Sequence, residues 1–324
     1  SQFQKRERED LLSWNITNAV EIAPNKIEAW VTGGEARFLN IQDKWESIDT
    51  SLTTTTNGFC MDKANFAACM PLVSTGTTNF ISTARFDILT KQKINELPEG
   101  EQITALNVAN VPGKIIKGNL GWGNDTFVLY ENAYPQWNAD LIYYIHQGEL
   151  TNVKKLIRFN SQISTTTDLR IDFKIKQSAS LEISNTKEGV KQKIDKTIKT
   201  RTFGKLEFRK EKTERLIQFD TPSVWFWKDE FPSIVKQNIQ YEISPLGNEE
   251  YLFTKIIPWE FLSSAQYPVW TDVTINVYVN GLTADTAFYQ PSTNVSLATI
   301  IGNAGDTELD NTTYLVHIDG GNTS

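Results

Sequence analysis

The chain has few of the residues that build catalytic and metal sites. Its 324 residues include only two His, His146 and His317. Catalysis by Ser-His-Asp or Cys-His groups needs an imidazole beside the nucleophile, and both histidines lie in apolar runs that favour a sheet position. The sequence also lacks the G-x-S-x-G, G-x-x-x-x-G-K-[ST] and H-E-x-x-H patterns. We therefore expect a non-enzymatic protein that carries no cofactor and no catalytic metal.

Long apolar runs and a disulfide framework are missing as well. No stretch of about 18 uninterrupted apolar residues occurs, which argues against a membrane-spanning helix. The first ten residues have mixed charges and no apolar run behind them, so this numbering contains no secretory signal. We expect a protein made in the cytoplasm. Cys60 and Cys69 are the only thiols, and their spacing allows a disulfide without requiring one.

Positive charge is absent from the last part of the chain and concentrated in the middle. Residues 256–324 contain seven Asp and Glu and not one Lys or Arg, whereas residues 174–215 contain 13 Lys and Arg against 6 Asp and Glu. Complementary fields of this kind favour head-to-tail assembly between copies. Nucleic acid is not an expected partner, because the basic residues alternate with acids and apolar residues and the net charge is −7.

What the sequence does contain is alternation of apolar and polar residues with a period of two. In Asp168–Lys176, the residues Leu169, Ile171, Phe173 and Ile175 share one face, and charged residues share the other. This pattern is typical of antiparallel sheets with one solvated face. With 40% hydrophobic and 11% aromatic residues, the chain is expected to fold as a mainly β protein built of antiparallel β-sandwich or jelly-roll-like domains with few short helices.

Turn signals divide the strands into hairpins and domains. Leu141–His146 and Val153–Phe159 are predicted to pair, as are Tyr241–Ile243 and Tyr251–Ile257. A short helix over 258–264 and a long strand over 269–279 follow. Polar residues 160–167 and the Asn-Gly turn near residue 280 predict three units. These units are an N-terminal β domain (1–160), a second β-sandwich domain (161–280) and an acidic C-terminal β extension or arm (281–324).

Tryptophans supply the candidate binding residues. Trp225 and Trp227 are predicted to lie on one face of a strand, as a sugar-stacking platform requires, and Trp270 is the third candidate. The same indoles would fill a sandwich core, which is the favoured interpretation because aromatic side chains contribute most to apolar burial. The alternating acids Asp306, Glu308 and Asp310 lack the glycine of a calcium loop, so a solvated acidic turn is favoured there. A glycoside hydrolase hidden among the 39 acids is a weaker alternative.

Two segments resemble a known family. Tyr130-Glu-Asn132-Ala133-Tyr134-Pro135, with Ala139–Tyr143 and the hairpin reaching Ile157, resembles a β module of tailed-phage virion proteins and of large bacterial surface proteins. Pro258–Asp272, with Trp259, a small helix and Tyr267-Pro268-Val269, is similar to the closing helix and last strand of that module. The resemblance covers about residues 115–275, half the chain. The family usually continues Asp-Pro-Thr, whereas Asp272-Val273-Thr274 stands here.

The resemblance implies a β-sandwich used for display, assembly or attachment, and it transfers no active-site residue. It implies a structural protein of a tailed-phage virion, assembled in the host cytoplasm, and capsid decoration is preferred to another head, tail or fibre role. The expected partners are capsid or tail proteins and further copies of the chain. The alternative is a carbohydrate-binding adhesin at a bacterial cell surface, with host glycan as its ligand.

Overall fold

The fold is known from a computed structural model. It describes residues 4–13, 15–24, 26–32, 36–40, 42, 44–82, 86–87, 92–93, 101–120, 124–147, 151–177, 182–187, 190–209, 215–228, 233–277 and 313–319. Strands dominate these residues, the strands that pair among them are antiparallel, and one short α-helix accompanies them. The predicted mainly β, sandwich-type fold is confirmed.

Strands of the first half of the chain are β1 (Arg6–Glu7), β2 (Ile16–Ala23), β3 (Lys26–Thr32), β4 (Arg37–Leu39), β5 (Trp45–Ser47), β6 (Thr53–Thr55), β7 (Gly58–Met61), β8 (Phe66–Met70), β9 (Thr77–Ser82), β10 (Phe86–Asp87), β11 (Gln92–Lys93), β12 (Glu101–Ala105), β13 (Lys114–Asn119), β14 (Asn124–Tyr134), β15 (Ala139–Gln147) and β16 (Thr151–Phe159).

Strands of the second half are β17 (Leu169–Lys176), β18 (Glu182–Lys187), β19 (Val190–Lys193), β20 (Thr200–Thr202), β21 (Lys205–Arg209), β22 (Arg215–Phe219), β23 (Ser223–Trp227), β24 (Ile234–Asn238), β25 (Gln240–Gly247), β26 (Glu250–Ile257), β27 (Val269–Val277) and β28 (Thr313–Asp319). The helical segments are α1 (Trp259–Ser264) and two single 3-10 turns, Glu9–Leu11 and Pro135–Trp137.

Two large sheets form the body. The nine-stranded sheet has the order β20-β25-β26-β17-β12-β9-β8-β7-β6, and the eleven-stranded sheet has the order β13-β14-β15-β16-β27-β22-β21-β18-β19. Strand β23 also pairs with β27, and β24 pairs with β23. One edge of β27 therefore holds two partners, since Val269–Asp272 pair with β23 and Ile275–Val277 pair with β22. Smaller sheets are β1-β2-β3-β28, β4-β5 and β10-β11.

The inner faces of the two large sheets share one hydrophobic core, which includes buried residues from Phe38 to Ile275. Strand β17 shows how the sequence produces it. Its residues Leu169, Ile171, Phe173 and Ile175 are buried, while the side chains between them are exposed or half-buried. The predicted alternation of this strand is confirmed, and so are both predicted hairpins, β15-β16 and β25-β26.

The polar stretch 160–167 connects the two large sheets. It follows β16 of the eleven-stranded sheet and precedes β17 of the nine-stranded sheet. Strands from both predicted domains pair across this point, because β12 pairs with β17 and β16 pairs with β27. Residues 1–160 and 161–280 thus contribute to the same two sheets. Of the predicted extension 281–324, residues 313–319 are described, and they pair with β3.

Two further local features complete the fold. Cys60 and Cys69 lie directly opposite each other on β7 and β8, with their Cα atoms 4.1 Å apart, and form a disulfide. The predicted short helix is present as α1, with Pro258 just before its first residue. The bond between Tyr267 and Pro268 is cis. The hydroxyl of Tyr267 ties this corner together, since it donates to Leu262 O at 3.2 Å and accepts from Ile163 N at 3.1 Å.

Candidate functional site

A line of side chains crosses five neighbouring strands on the outer face of the eleven-stranded sheet. Asp140 on β15 is opposite Arg158 on β16, and Arg158 is opposite Trp270 on β27. Trp270 is in turn opposite Trp225 on β23, which is opposite Lys236 on β24. We call these five residues the outer-face row. Side chains directly opposite on paired strands have Cβ atoms about 4.5–5.5 Å apart, so each member can contact the next.

Asp140 is the polar end of the outer-face row and is buried. Its Oδ1 accepts a hydrogen bond from the backbone N–H of Asn132 at 2.7 Å. Its Oδ2 accepts from Arg158 Nε at 3.0 Å, from Arg158 Nη2 at 2.7 Å and from Asn160 Nδ2 at 2.9 Å. Asn132 has a φ of 50°, a left-handed conformation that Asn tolerates better than most residues. The carboxylate therefore fixes the irregular part of β14 to β15 and β16.

The two tryptophans form the apolar middle of the outer-face row. The guanidinium of Arg158 lies 5.5 Å from the ring centre of Trp270, within the range of a cation–π contact. Trp270 is 4% exposed and Trp225 is 9% exposed. Both belong to a second apolar cluster, separate from the main core, whose buried members are Leu120, Phe127, Leu129, Ile142, Tyr144, Leu156, Trp225 and Trp270. This face of the sheet is therefore dry around the tryptophans.

Trp227, the third predicted binding residue, is placed differently. It is half-buried at the end of β23, opposite Ile234, which is 47% exposed. Phe226 between the two indoles turns to the opposite face and packs against Phe261 of α1, with ring centres 5.6 Å apart. The structure thus brings Trp225 and Trp270 together and leaves Trp227 at the margin. A sugar platform needs an accessible ring face, so Trp227 is the strongest of the three candidates.

The outer face of the nine-stranded sheet has a charged centre instead. Glu242 on β25 is nearly fully buried and binds three cations: Arg170 Nη2 at 2.5 Å, Lys199 Nζ at 2.6 Å and Arg201 Nε at 2.6 Å. Burial by itself would raise the pKa of Glu242, but the hydrogen bonds from Lys199, Arg201 and Arg170 outweigh it and lower the pKa to about 2. The carboxylate stays ionised and holds β17, β20 and β25 together.

The two histidines lie on different strands. His146 is the second-to-last residue of β15, and its ring lies edge-on to Tyr144 with centres 6.1 Å apart. His317 lies in β28. Among the residues that the structure describes, no group of three or more His, Cys, Asp or Glu is arranged to hold a metal ion. The described ranges also contain no helix with the length and apolarity needed to cross a membrane. The predicted acidic turn at 306–310 lies outside them.

Comparison with known proteins adds no assignment. No protein-family model matches the chain. A search of curated proteins likewise found no match.

Proposed function

We propose that the chain is a non-enzymatic structural protein of a tailed-phage virion, which acts through protein–protein contacts of its β surfaces. The observation that carries this proposal is the pairing of β16 with β27 over eight consecutive positions, Asn152–Phe159 with Val269–Asn276. This pairing joins the two segments whose sequences resemble the virion and surface-protein module. Both segments therefore belong to one continuous sheet, as parts of a single module would.

The motif residues in these segments stabilise the fold through packing and hydrogen bonds, which supports the proposal. Tyr134 stacks on Trp137 with ring centres 5.4 Å apart, beside the 3-10 turn that Pro135 begins. Asn132 is held by Asp140, and Tyr267 binds the backbone of Leu262 within α1 and of Ile163 in the connection 160–167. Side chains used in this way define a rigid body. A rigid body with fixed outer surfaces suits display and assembly.

Decoration of the capsid is the preferred position in the particle, and capsid or tail proteins and other copies of the chain are the partners. The proposal places the protein in the virion, assembled in the host cytoplasm. Mass spectrometry of particles purified to homogeneity tests it. We expect the chain in many copies per particle, and cryo-electron microscopy should show its β body on the shell. Particles of full infectivity that lack the chain would reject the proposal.

A carbohydrate-binding adhesin is the second candidate, favoured by the surroundings of Trp227. The half-buried indole lies opposite exposed Ile234 on the edge strand β24, so an apolar surface remains accessible there. Glycan-array binding by the intact chain, lost in Trp227→Ala and retained in Trp227→Phe, would support this function. Trp225 and Trp270 are less suitable for such a variant, because their removal would disturb the apolar cluster. Absence of glycan binding by the wild-type chain would reject the adhesin.

A further inference from the structure

Two lysines lie in the space between the large sheets. Lys155 on β16 points inward from the eleven-stranded sheet, and Lys255 on β26 points inward from the nine-stranded sheet. Both side chains are fully buried. Lysine is among the residues that are almost never fully buried without a charged partner. We call these two residues the interlayer lysine pair.

The two side chains cross the interlayer space in opposite directions. The Nζ of Lys155 lies 5.1 Å from the ring centre of Phe173, on β17 of the opposite sheet. The Nζ of Lys255 donates a hydrogen bond to Thr271 Oγ1 at 3.2 Å, on β27 of the opposite sheet. Thr271 in turn donates to Ser223 O at 2.8 Å. Each amine therefore ends against the sheet that the other lysine comes from.

No carboxylate neutralises the Lys155 amine within the described part of the chain. Its Nζ has no hydrogen-bond partner there, and the Lys255 amine donates to the hydroxyl of Thr271. The titratable inward neighbours are tyrosines: Tyr143 lies directly opposite Lys155 on β15, and Tyr241 lies directly opposite Lys255 on β25. Among the flanking strands, Asp272 alternates to the outer face of β27, where Ser223 and Thr274 bind its carboxylate.

Burial controls the protonation of these groups. It lowers the pKa of Lys155 to about 7. Burial also lowers the pKa of Lys255 well below the ordinary value, repulsion by Lys155 lowers it further, and attraction by Asp272 opposes both. Burial raises the pKa of Tyr143 and of Tyr241, so both phenols stay neutral. A buried ionisable group without a counter-charge generally neutralises in this way.

We propose that the interlayer lysine pair makes the packing of the two large sheets sensitive to protons. With neutral amines, the apolar stems and the tyrosine neighbours fill the space between β16 and β27 on one side and β17 and β26 on the other. Protonation places positive charge in that space without a carboxylate to receive it, and the association of the sheets weakens. This property is independent of where the protein acts, and so goes beyond the function proposed above.

The direction of the effect follows from proton linkage. In the unfolded chain a lysine has a pKa of about 10.4, so between about pH 7 and 10 the unfolded state binds more protons than the folded state. The ratio of folded to unfolded protein should therefore rise with pH, by up to about tenfold per pH unit for each buried lysine. The rise should be measured below about pH 9.5, because the tyrosines of the unfolded chain begin to ionise near pH 10.

Urea unfolding of the full chain between pH 6 and 9.5 tests the proposal in wild type, Lys155→Met, Lys255→Met and a control, Lys154→Met. Lys154 is the neighbouring residue on the same strand, half-buried on the other face. We expect the wild-type ratio to rise steeply with pH and the control to follow it. In Lys155→Met the folded-to-unfolded ratio should rise less with pH than in wild type, by up to about tenfold less per pH unit. The variant should gain most stability at pH 6, the acidic end of the range.

The proposal would be overturned if the folded-to-unfolded ratio depended on pH in the same way in wild type, Lys155→Met and Lys255→Met. Stability at pH 7 that rises with chloride at constant ionic strength would also overturn it, since it would show charged lysines held by an anion. If the Met variants fail to fold, heteronuclear NMR of the lysine side chains in the wild-type chain replaces them. A lysine that titrates near neutrality supports the proposal, and titration of every lysine above pH 9 contradicts it.

Discussion

The outer faces of the two large sheets differ in kind, although their inner faces share one core. On the nine-stranded sheet, β17 exposes Arg170 and Lys176. Arg170 pairs with the buried carboxylate of Glu242, which is surrounded by cations that reach solvent. On the eleven-stranded sheet, the outer face carries the second apolar cluster with Trp225 and Trp270. The first face is solvated and held by ion pairs. The second is dry over part of its area and held by aromatic packing.

The difference shows when period-two alternation identifies a solvated face. In β17 the residues between the apolar positions are charged, and the face is wet as predicted. In β27 they include Trp270 and Thr274, and both are buried. The alternation of β27 therefore does not mark a solvated face at these positions. An aromatic residue at a polar position of the alternation indicates a second buried face.

The largest loss of unfolding free energy should come from removing an indole of the dry face. Trp270→Ala is expected to cost roughly 3–5 kcal/mol of unfolding free energy, because the residue is almost fully buried and its loss leaves a cavity beside Arg158. Chemical denaturation measures it. Trp227→Ala is the matched control and should cost less than about 1 kcal/mol, since Trp227 lies at the margin. Equal losses in the two variants would remove the distinction between cluster and margin.

Asp140→Ala should follow, with a loss of roughly 3 kcal/mol in the same assay. The change leaves the backbone N–H of Asn132 and the guanidinium of Arg158 without their acceptor, and breaking a buried ion pair from one side is costly. Asp140→Asn is the control, because an amide oxygen can still accept from Asn132. It should lose less than the Ala variant. If Asp140→Ala left the unfolding free energy unchanged, this end of the outer-face row would not stabilise the sheet.

Glu242→Gln on the wet face should cost about 2 kcal/mol at pH 7, less than the changes on the dry face, because its three cations regain water. Its effect depends on pH. The folded pKa of about 2 lies below the ordinary 4.5, so the contribution is complete above about pH 4.5 and is lost as the pH falls toward 2. Wild type and variant should therefore converge in acid. A constant difference from pH 7 to pH 2 would contradict this account of Glu242.

The smallest effect belongs to single cations of the wet face. Arg201→Ala should cost less than about 1 kcal/mol, because the guanidinium is more than half exposed and Arg170 and Lys199 still bind Glu242. Thermal unfolding at low and high salt measures it, and the loss should shrink as salt rises. A loss as large as that of Glu242→Gln would show that the three cations act as one unit.

The sequence predicts the local elements well and the joining of elements poorly. Alternation gave β17, and turn residues gave the hairpins β15-β16 and β25-β26, because both signals act over a few residues. The polar residues 160–167 do not separate two independent cores. They connect two sheets that share one core. Pairing between distant strands, such as β12 with β17, leaves no local signal.

The site was predictable to a similar extent. Trp225 and Trp270 were found by residue type, but their direct opposition depends on the register of β23 with β27. Residue type alone did not identify the interlayer lysine pair, because Lys154 and Lys155 are adjacent and the alternation of the strand decides which one turns inward. The alternation of Val153, Lys155 and Ile157 on β16 would have indicated it, had a lysine at an apolar position been taken as buried.

Native-state hydrogen exchange tests most directly the central claim that both halves of the chain form one body. Amides of β12 and β17, and of β16 and β27, should exchange through the same global unfolding and with the same free energy. Addition of denaturant should move them together. If the amides of residues 1–160 instead exchanged through a separate opening at much lower free energy than those of 161–280, the shared core would be contradicted.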